Sequence, residues 1–450
     1  MPVVLLSRII IRDYATFPKL AIAENPPECY YLAVKKLICL IAIIFANAIL
    51  FAVSFNNGES IEIRDNLFYS EKELQSFSWS TSLTESEREY YDKVTISLIT
   101  GGRGDEIWEY FGHAAFLLET EDSESIMFDY GVFSFDKKFY INFALGKLYY
   151  RMLASYGRSR ILALKSADRD VYKLELDLNA TQKKNLIAFL EYNNKTENRT
   201  YLYDYYLDNC ATRLRDIYSA MDGSYKEWAM SVDTHKSFRD YTIEYLSPNF
   251  LASFGIVYLL GPNTDKDLTL YEAAFLPDVL RESIEEFQGS KSDKLYSSET
   301  KSPINKNAHF YIKCFLLSLV LCAISLLQYA KPKTLRKLSH GLLSLVYLIF
   351  GIMALALLFL ETMSIHKAAY FNTSLLVISP LTLYFFFLHI TSLFGKEKRA
   401  KLYKAGKLYA LFLIVLIILK FALSHFFFEA NLGYYIVMLL LYSSETIRKA

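Results

Sequence analysis

Apolar positions along the chain fall into two regimes. Residues 35 to 57 and most of the chain after residue 310 carry long apolar runs, whereas between about Asn56 and His309 charges and turn residues cut the pattern into short clusters. In that middle stretch VTISLIT (94 to 100), HAAFLLE, IMFDYGVF, RILALKS and VYKLELDL read as strands, and GGRGDE and EDSES as the turns that separate some of them. EIWEYFG supplies a helical turn or two. TQKKNLIAFLEYNN predicts a helix opened by a Thr181 cap, ATRLRDIYSAM a helix ended near Gly223, and LPDVLRESIEEF an amphipathic helix before the polar linker GSKSDKLYSSETKSP. FYINFALGKLYYRMLASY (139 to 156) is apolar and aromatic almost all round, so it predicts a helix or strand pair that packs in the core or lies against lipid. No internal repeat is evident, and the stretch reads as a single α+β domain.

The long runs are of membrane-crossing type. Five cover about 310 to 330, 341 to 360, 370 to 394, 408 to 424 and 431 to 445, the last being short for a span. Lys331, Lys333, Arg336 and Lys337 follow the first; Lys396, Lys398, Arg399, Lys401, Lys404 and Lys407 follow the third; Arg448 and Lys449 follow the fifth. The other connections hold almost no Lys or Arg, so the clusters mark the cytoplasmic side and the domain before residue 310 lies outside. Lys35 and Lys36, ahead of the first apolar run, give the same orientation. The chain therefore divides into a cytoplasmic extension or misassigned start (1–34), a signal peptide or anchor helix (35–57), an extracytoplasmic domain (58–309) and an all-α five-helix transmembrane bundle (310–450). Lys420 and His389 are polar positions inside apolar runs; each lies toward a run's end, where snorkelling competes with a role such as lipid headgroup contact for Lys420.

Composition adds little to this picture. A net charge of +1 with no basic field argues against nucleic acid as a partner. Aromatic residues at 16% suit a protein working at a bilayer interface, although an AT-rich genome enriches them too. The five cysteines show no CxxC or Cys/His spacing, which gives no basis for a metal, a diffusible cofactor or a disulfide framework. Cys210 stands apart as the cysteine outside the apolar segments.

Cys210 follows Asp208 and Asn209, good cap residues, and opens a helical pattern, so free backbone N–H groups and the helix dipole would favour its thiolate. His113 begins a predicted strand and shares a face with Asp129 if the hairpin register has even parity. A histidine near the thiol could carry its proton and a carboxylate could orient the ring. Each residue also has a bland reading: a small buried hydrophobe for Cys210, a core or surface residue for His113. His235 and His309 are extracytoplasmic as well, and the residue types alone leave them open. Arg213 and Arg215 read as a solvated helix face, with phosphate contact as the alternative.

ISLITGGRGDEIWEYFGHAAFLLE, FDYGVFSFDKKFYINFALGKLYYRM and YLYDYYLDNCATRLRDIY resemble, in order and spacing, the extracytoplasmic (Lnb-like) domain of the Bacteroidota-type lipoprotein N-acyltransferases. A histidine strand ahead of an Asn-Cys helix is also similar to the permuted papain-like fold of the NlpC/P60 and lecithin:retinol acyltransferase group. Ala114 departs from that pattern, which favours a small hydroxyl residue after the histidine. The resemblance covers about residues 85 to 285, and the bundle by layout. It implies a multi-pass protein of the bacterial inner membrane with a periplasmic catalytic domain. Cys210 would take an acyl chain from a phospholipid donor as a thioester and pass it to the α-amine of a diacylated lipoprotein. His113 would be base and acid, Asp129 its orienter, and the backbone around Cys210 the oxyanion hole. The same dyad would serve a cysteine hydrolase, either a phospholipase or a cell-wall peptidase or amidase; a transporter, receptor or scaffold is the non-enzymatic alternative.

Overall fold

The computed structural model describes residues 71–121, 123–133, 138–301, 309–394, 399–422 and 431–447. The expected cytoplasmic extension and the apolar run at 35–57 lie outside the described residues.

The first domain is built on a seven-stranded sheet of β1 (Thr95–Gly101), β2 (His113–Thr120), β3 (Ser123–Val132), β4 (Tyr149–Tyr156), β5 (Val171–Glu175), β6 (Thr200–Leu202) and β9 (Asp293–Tyr296), with β7 (Asp233–Ser237) and β8 (Asp267–Thr269) pairing separately. The order is β6-β4-β3-β2-β1-β5-β9 and every pairing is antiparallel. Between strands run α1 (Phe139–Leu145), α2 (Gly157–Ser166), α3 (Ala180–Asn194) and α4 (Cys210–Met221), followed by α5 (Phe250–Tyr258) and α6 (Pro277–Gln288).

Strand alternation divides the core. Leu98, Phe116 and Phe128 on one face pack with Leu186, Phe189, Ala211, Leu214 and Leu280 from α3, α4 and α6. Ile99, Ala115, Leu117 and Met127 on the other face pack with Ile161 and Leu164 of α2. The segment RILALKS is therefore helix and not strand. Its Arg, Leu, Ala and Lys residues are good helix formers, and the spacing of Ile161 and Leu164 puts both on the sheet. Residues 139–156 form a helix and a strand in succession: Gly146, at φ +74, stops α1, and its missing Cβ admits Ile365 of the bundle. The cap of α3 is Asn179, whose side chain accepts from the Gln182 N–H, and not Thr181. The linker after α6 contributes the edge strand β9.

The second region is helical: α7 (Phe310–Leu326), α8 (Lys333–Met363), α9 (Thr382–Phe394), α10 (Arg399–Ala422) and α11 (Leu432–Ser444). Among the described residues, four stretches are long and apolar enough to cross a membrane, the third running Ser374–Phe394 with a break before Thr382 at Pro380. The fifth expected span is the 13-residue α11. The first domain is seated on the bundle through α5: the Tyr258 hydroxyl donates to the Ile378 carbonyl at 2.7 Å, the Tyr434 hydroxyl to the Phe254 carbonyl at 2.6 Å, and the Asn372 amide to the Tyr258 carbonyl at 2.8 Å.

Candidate active site

The sequence DNC folds into a helix start. Asn209 caps α4, its Oδ1 accepting from the Ala211 and Thr212 N–H groups while its Nδ2 donates to the Tyr205 and Phe275 carbonyls. All of its hydrogen-bonding capacity is thus spent on holding the first turn. Cys210 occupies the first helical position, and its own amide N–H has no acceptor among the described residues.

The β2–β3 register pairs Ala115 with Asp129, so His113 and Asp129 lie on one face two residues out of step. His113 Nε2 and Asp129 Oδ1 are 2.6 Å apart. This leaves Nδ1 as the ring nitrogen available to the nearby thiol, whose charge helps to raise the imidazole. Asp129 is buried, whereas the His113 side chain keeps 23% of its exposure. The second carboxylate oxygen of Asp129 accepts from Arg160 of α2. His113 belongs to the face covered by α2 and Cys210 to the helix on the opposite face, so the two meet at the end of β2. Gly131 adjoins this meeting: its φ of +90, beside a register shift in β3, favours glycine, and a Cβ there would make ordinary contact, 3.7 Å from Cys210 Cβ and 3.9 Å from His113 Cε1.

Burial opposes charge on each of these groups, and their mutual contacts override it. His113 would be pushed down by desolvation, but Asp129 and then Cys210 raise it to about 10. Desolvation would raise the thiol, but His113 and the Ala114 amide N–H hold it below its ordinary value. Asp129 likewise stays below the carboxylate range through His113 and Arg160 despite its burial. Each partner thus favours the charged form of the other: the imidazole favours thiolate, and the thiol and Asp129 favour imidazolium. Ala114, the departure noted in the sequence, contributes its backbone N–H here.

The remaining candidates lie elsewhere. His235 is exposed beside Asp233 in the β7–β8 ribbon, and His309 precedes α7. Arg213 and Arg215 are buried, neither solvated nor open to phosphate. Arg213 forms a two-pronged pair with Asp208 at 2.6 and 2.8 Å and lies 3.8 Å from the centre of the Tyr201 ring, while Arg215 pairs with Asp216 and lies over Tyr271. Arg160 was not legible as a site residue, because its segment reads as a strand. A cavity of about 450 Å³ is lined by Gly102, Arg103, Asp170, Asp278 and neighbours and by none of the three site residues.

In the bundle, His389 and Lys420 are both partnered. Lys420 Nζ donates to Asn431 Oδ1 at 2.9 Å, and the buried Asn431 amide donates to Ser374 at 2.7 Å.

No curated protein and no solved structure matches the chain. Two family models do: residues 86–241 match the Lnb N-terminal periplasmic domain, which contains His113, Asp129, Arg160 and Cys210, and residues 307–448 match the Lnb transmembrane domain. The chain belongs to the Lnb family and is a membrane protein with a periplasmic domain.

Proposed function

We propose that the protein is an inner-membrane N-acyltransferase that moves a fatty acyl chain from a phospholipid to the N-terminal amine of a lipidated lipoprotein cysteine. The observation that carries this reading is the Cys210 thiol at a helix N-terminus, close to a His113 ring that Asp129 holds at 2.6 Å.

The Cys210 thiolate attacks the ester carbonyl of the donor, and the negative charge moves to the carbonyl oxygen. The unpartnered Cys210 N–H, at the positive end of α4, is suited to receive that oxyanion. Collapse breaks the ester C–O bond; the His113 imidazolium gives its proton to the departing lysophospholipid oxygen, leaving a thioester on Cys210. The lipoprotein amine then attacks the thioester, His113 takes its proton, and the amide forms as the thiolate leaves. Asp129 and Arg160 act through His113 as positioning residues, fixing the ring and stabilising the imidazolium.

Donor and acceptor are both anchored in a leaflet adjoining the domain, which raises their effective concentration over water and favours aminolysis. The test is the intact mass of a reporter lipoprotein from cells lacking the native acyltransferase and carrying either this protein or Cys210→Ala. One added acyl chain on the N-terminal amine, dependent on the thiol, supports transfer; released fatty acid in its place identifies a hydrolase.

A further inference from the structure

The geometry points to α1 as a membrane-inserting element: Tyr140, Ile141 and Phe143 enter the outer-face lipid boundary, and the ring series Phe139, Phe133, Tyr150, Tyr203 leads an acyl chain from there to Cys210. The docking half stands on position and exposure alone; the path half rests on the acyl-transfer reading.

Position comes first. The end of α1 is tied to the connection that follows α8, where the Ile365 N–H donates to the Leu145 carbonyl at 3.1 Å and His366 Nε2 donates to the Phe143 carbonyl at 2.7 Å. The apolar part of α8 runs to residue 360, so Ile365 and His366 follow within two turns of the hydrocarbon boundary. Helix α1 is thereby held at interfacial depth, on the side of the bundle that carries the periplasmic domain.

Exposure comes second. Tyr140, Ile141 and Phe143 are 75%, 63% and 54% exposed among the described residues, three large, mostly uncovered apolar side chains on a seven-residue helix. Neighbouring Met363 and Ile365 are exposed as well. Such a cluster in water is costly, whereas Tyr and Phe at headgroup depth are favoured. Lys138 and Lys147, both exposed, flank the helix where ammonium groups reach phosphate. On α5, which is wedged against the bundle, Leu251 is 74% exposed and gives a second contact with the same lipid.

The ring series completes the path. Phe139 stacks on Phe133 with centroids 5.5 Å apart, Phe133 on Tyr150 at 4.9 Å and Tyr150 on Tyr203 at 4.2 Å. Tyr203 stands seven residues before Cys210, and after burial the Cys210 thiol is the next cause that raises its hydroxyl, so the series ends near the thiol. A lipid standing at α1 has a continuous apolar surface along which one chain can leave the leaflet without crossing water.

The experiment uses full-length protein in nanodiscs of phosphatidylethanolamine and phosphatidylglycerol with brominated acyl chains. Tyr140→Trp is expected to add blue-shifted emission that the bromines quench, after subtraction of the wild-type signal. Unquenched, water-like emission overturns the docking. In unbrominated vesicles, Ile141→Asp/Phe143→Asp is expected to slow acylation of Cys210 by phospholipid about tenfold or more, with alkylation of the same thiol by iodoacetamide unchanged. Unchanged acylation overturns the path. Wild type that takes no acyl group from phospholipid removes the acyl-transfer reading and the path with it, and the quenching result still decides the docking.

Discussion

Two of the protein's histidine–carboxylate pairs sit in very different settings. In the periplasmic domain His113 bonds Asp129 and reaches the Cys210 thiol, with part of its ring open to solvent. In the bundle, His389 bonds Glu445 at 3.2 Å and His340 at 2.9 Å, Gln328 donates to the other Glu445 oxygen, and all four residues are sealed from solvent. That cluster lies toward the start of α8, far along the helix from the end that meets the first domain. The residue types are nearly the same, and the difference lies in what they face. One pair faces a thiol at a helix N-terminus with an open approach. The other ties α8, α9 and the end of α11 together, as buried polar groups do between membrane helices. A histidine–carboxylate pair is thus a site only where a reactive atom and access accompany it.

The strongest way to break this contrast is to remove the thiol. Cys210→Ala is expected to lower acyl transfer by about ten-thousand-fold or more, and His113→Ala by about a thousandfold, with both proteins folded; intact-mass assays of acyl-enzyme and product read both. Retained activity in either variant would place the chemistry elsewhere.

The pH dependence sharpens it. Because His113 holds the thiol below its usual value and is itself raised to about 10, the thiolate persists to lower pH than an ordinary thiol's, and the imidazolium to higher pH than an ordinary histidine's. Iodoacetamide should alkylate Cys210 rapidly at neutral pH. The thiolate fades only as pH falls through the lowered thiol value, and the imidazolium is lost as pH rises through about 10. In His113→Ala the alkylation profile should move up toward that of an ordinary thiol.

Smaller effects follow from the supporting groups. Arg160→Ala should reduce acyl transfer about tenfold and narrow the pH range of the thiolate, since it removes one of the two charges on Asp129. Its side chain is 40% exposed, so thermal stability should hardly change. His389→Ala should do the reverse: a stability loss of about 1–2 kcal/mol in detergent, with the Cys210 alkylation rate unchanged.

The legibility of these features in the sequence follows the range of the interactions behind them. Strand alternation in HAAFLLE and IMFDYGVF is local, so the shared face of His113 and Asp129 was legible up to the parity of the hairpin register, which the structure supplies, and DNC announced the helix start. RILALKS is ambiguous by periodicity, and only the sheet face offered by β1–β3 decides for helix; Arg160 was hidden with it. Burial of Arg213 and Arg215 depends on Tyr201 and Tyr271, distant in sequence, although Asp208 five residues before Arg213 was a usable hint. The meeting of His113 and Cys210 spans nearly a hundred residues and came through family resemblance, not spacing.

The most direct test is the mass of the Cys210 peptide after the full-length protein is incubated with phospholipid vesicles and digested at mildly acidic pH. The account predicts one added acyl chain, released by neutral hydroxylamine as a thioester is, and missing from His113→Ala. A wild-type peptide that carries no acyl group, while the same thiol alkylates rapidly, would contradict it.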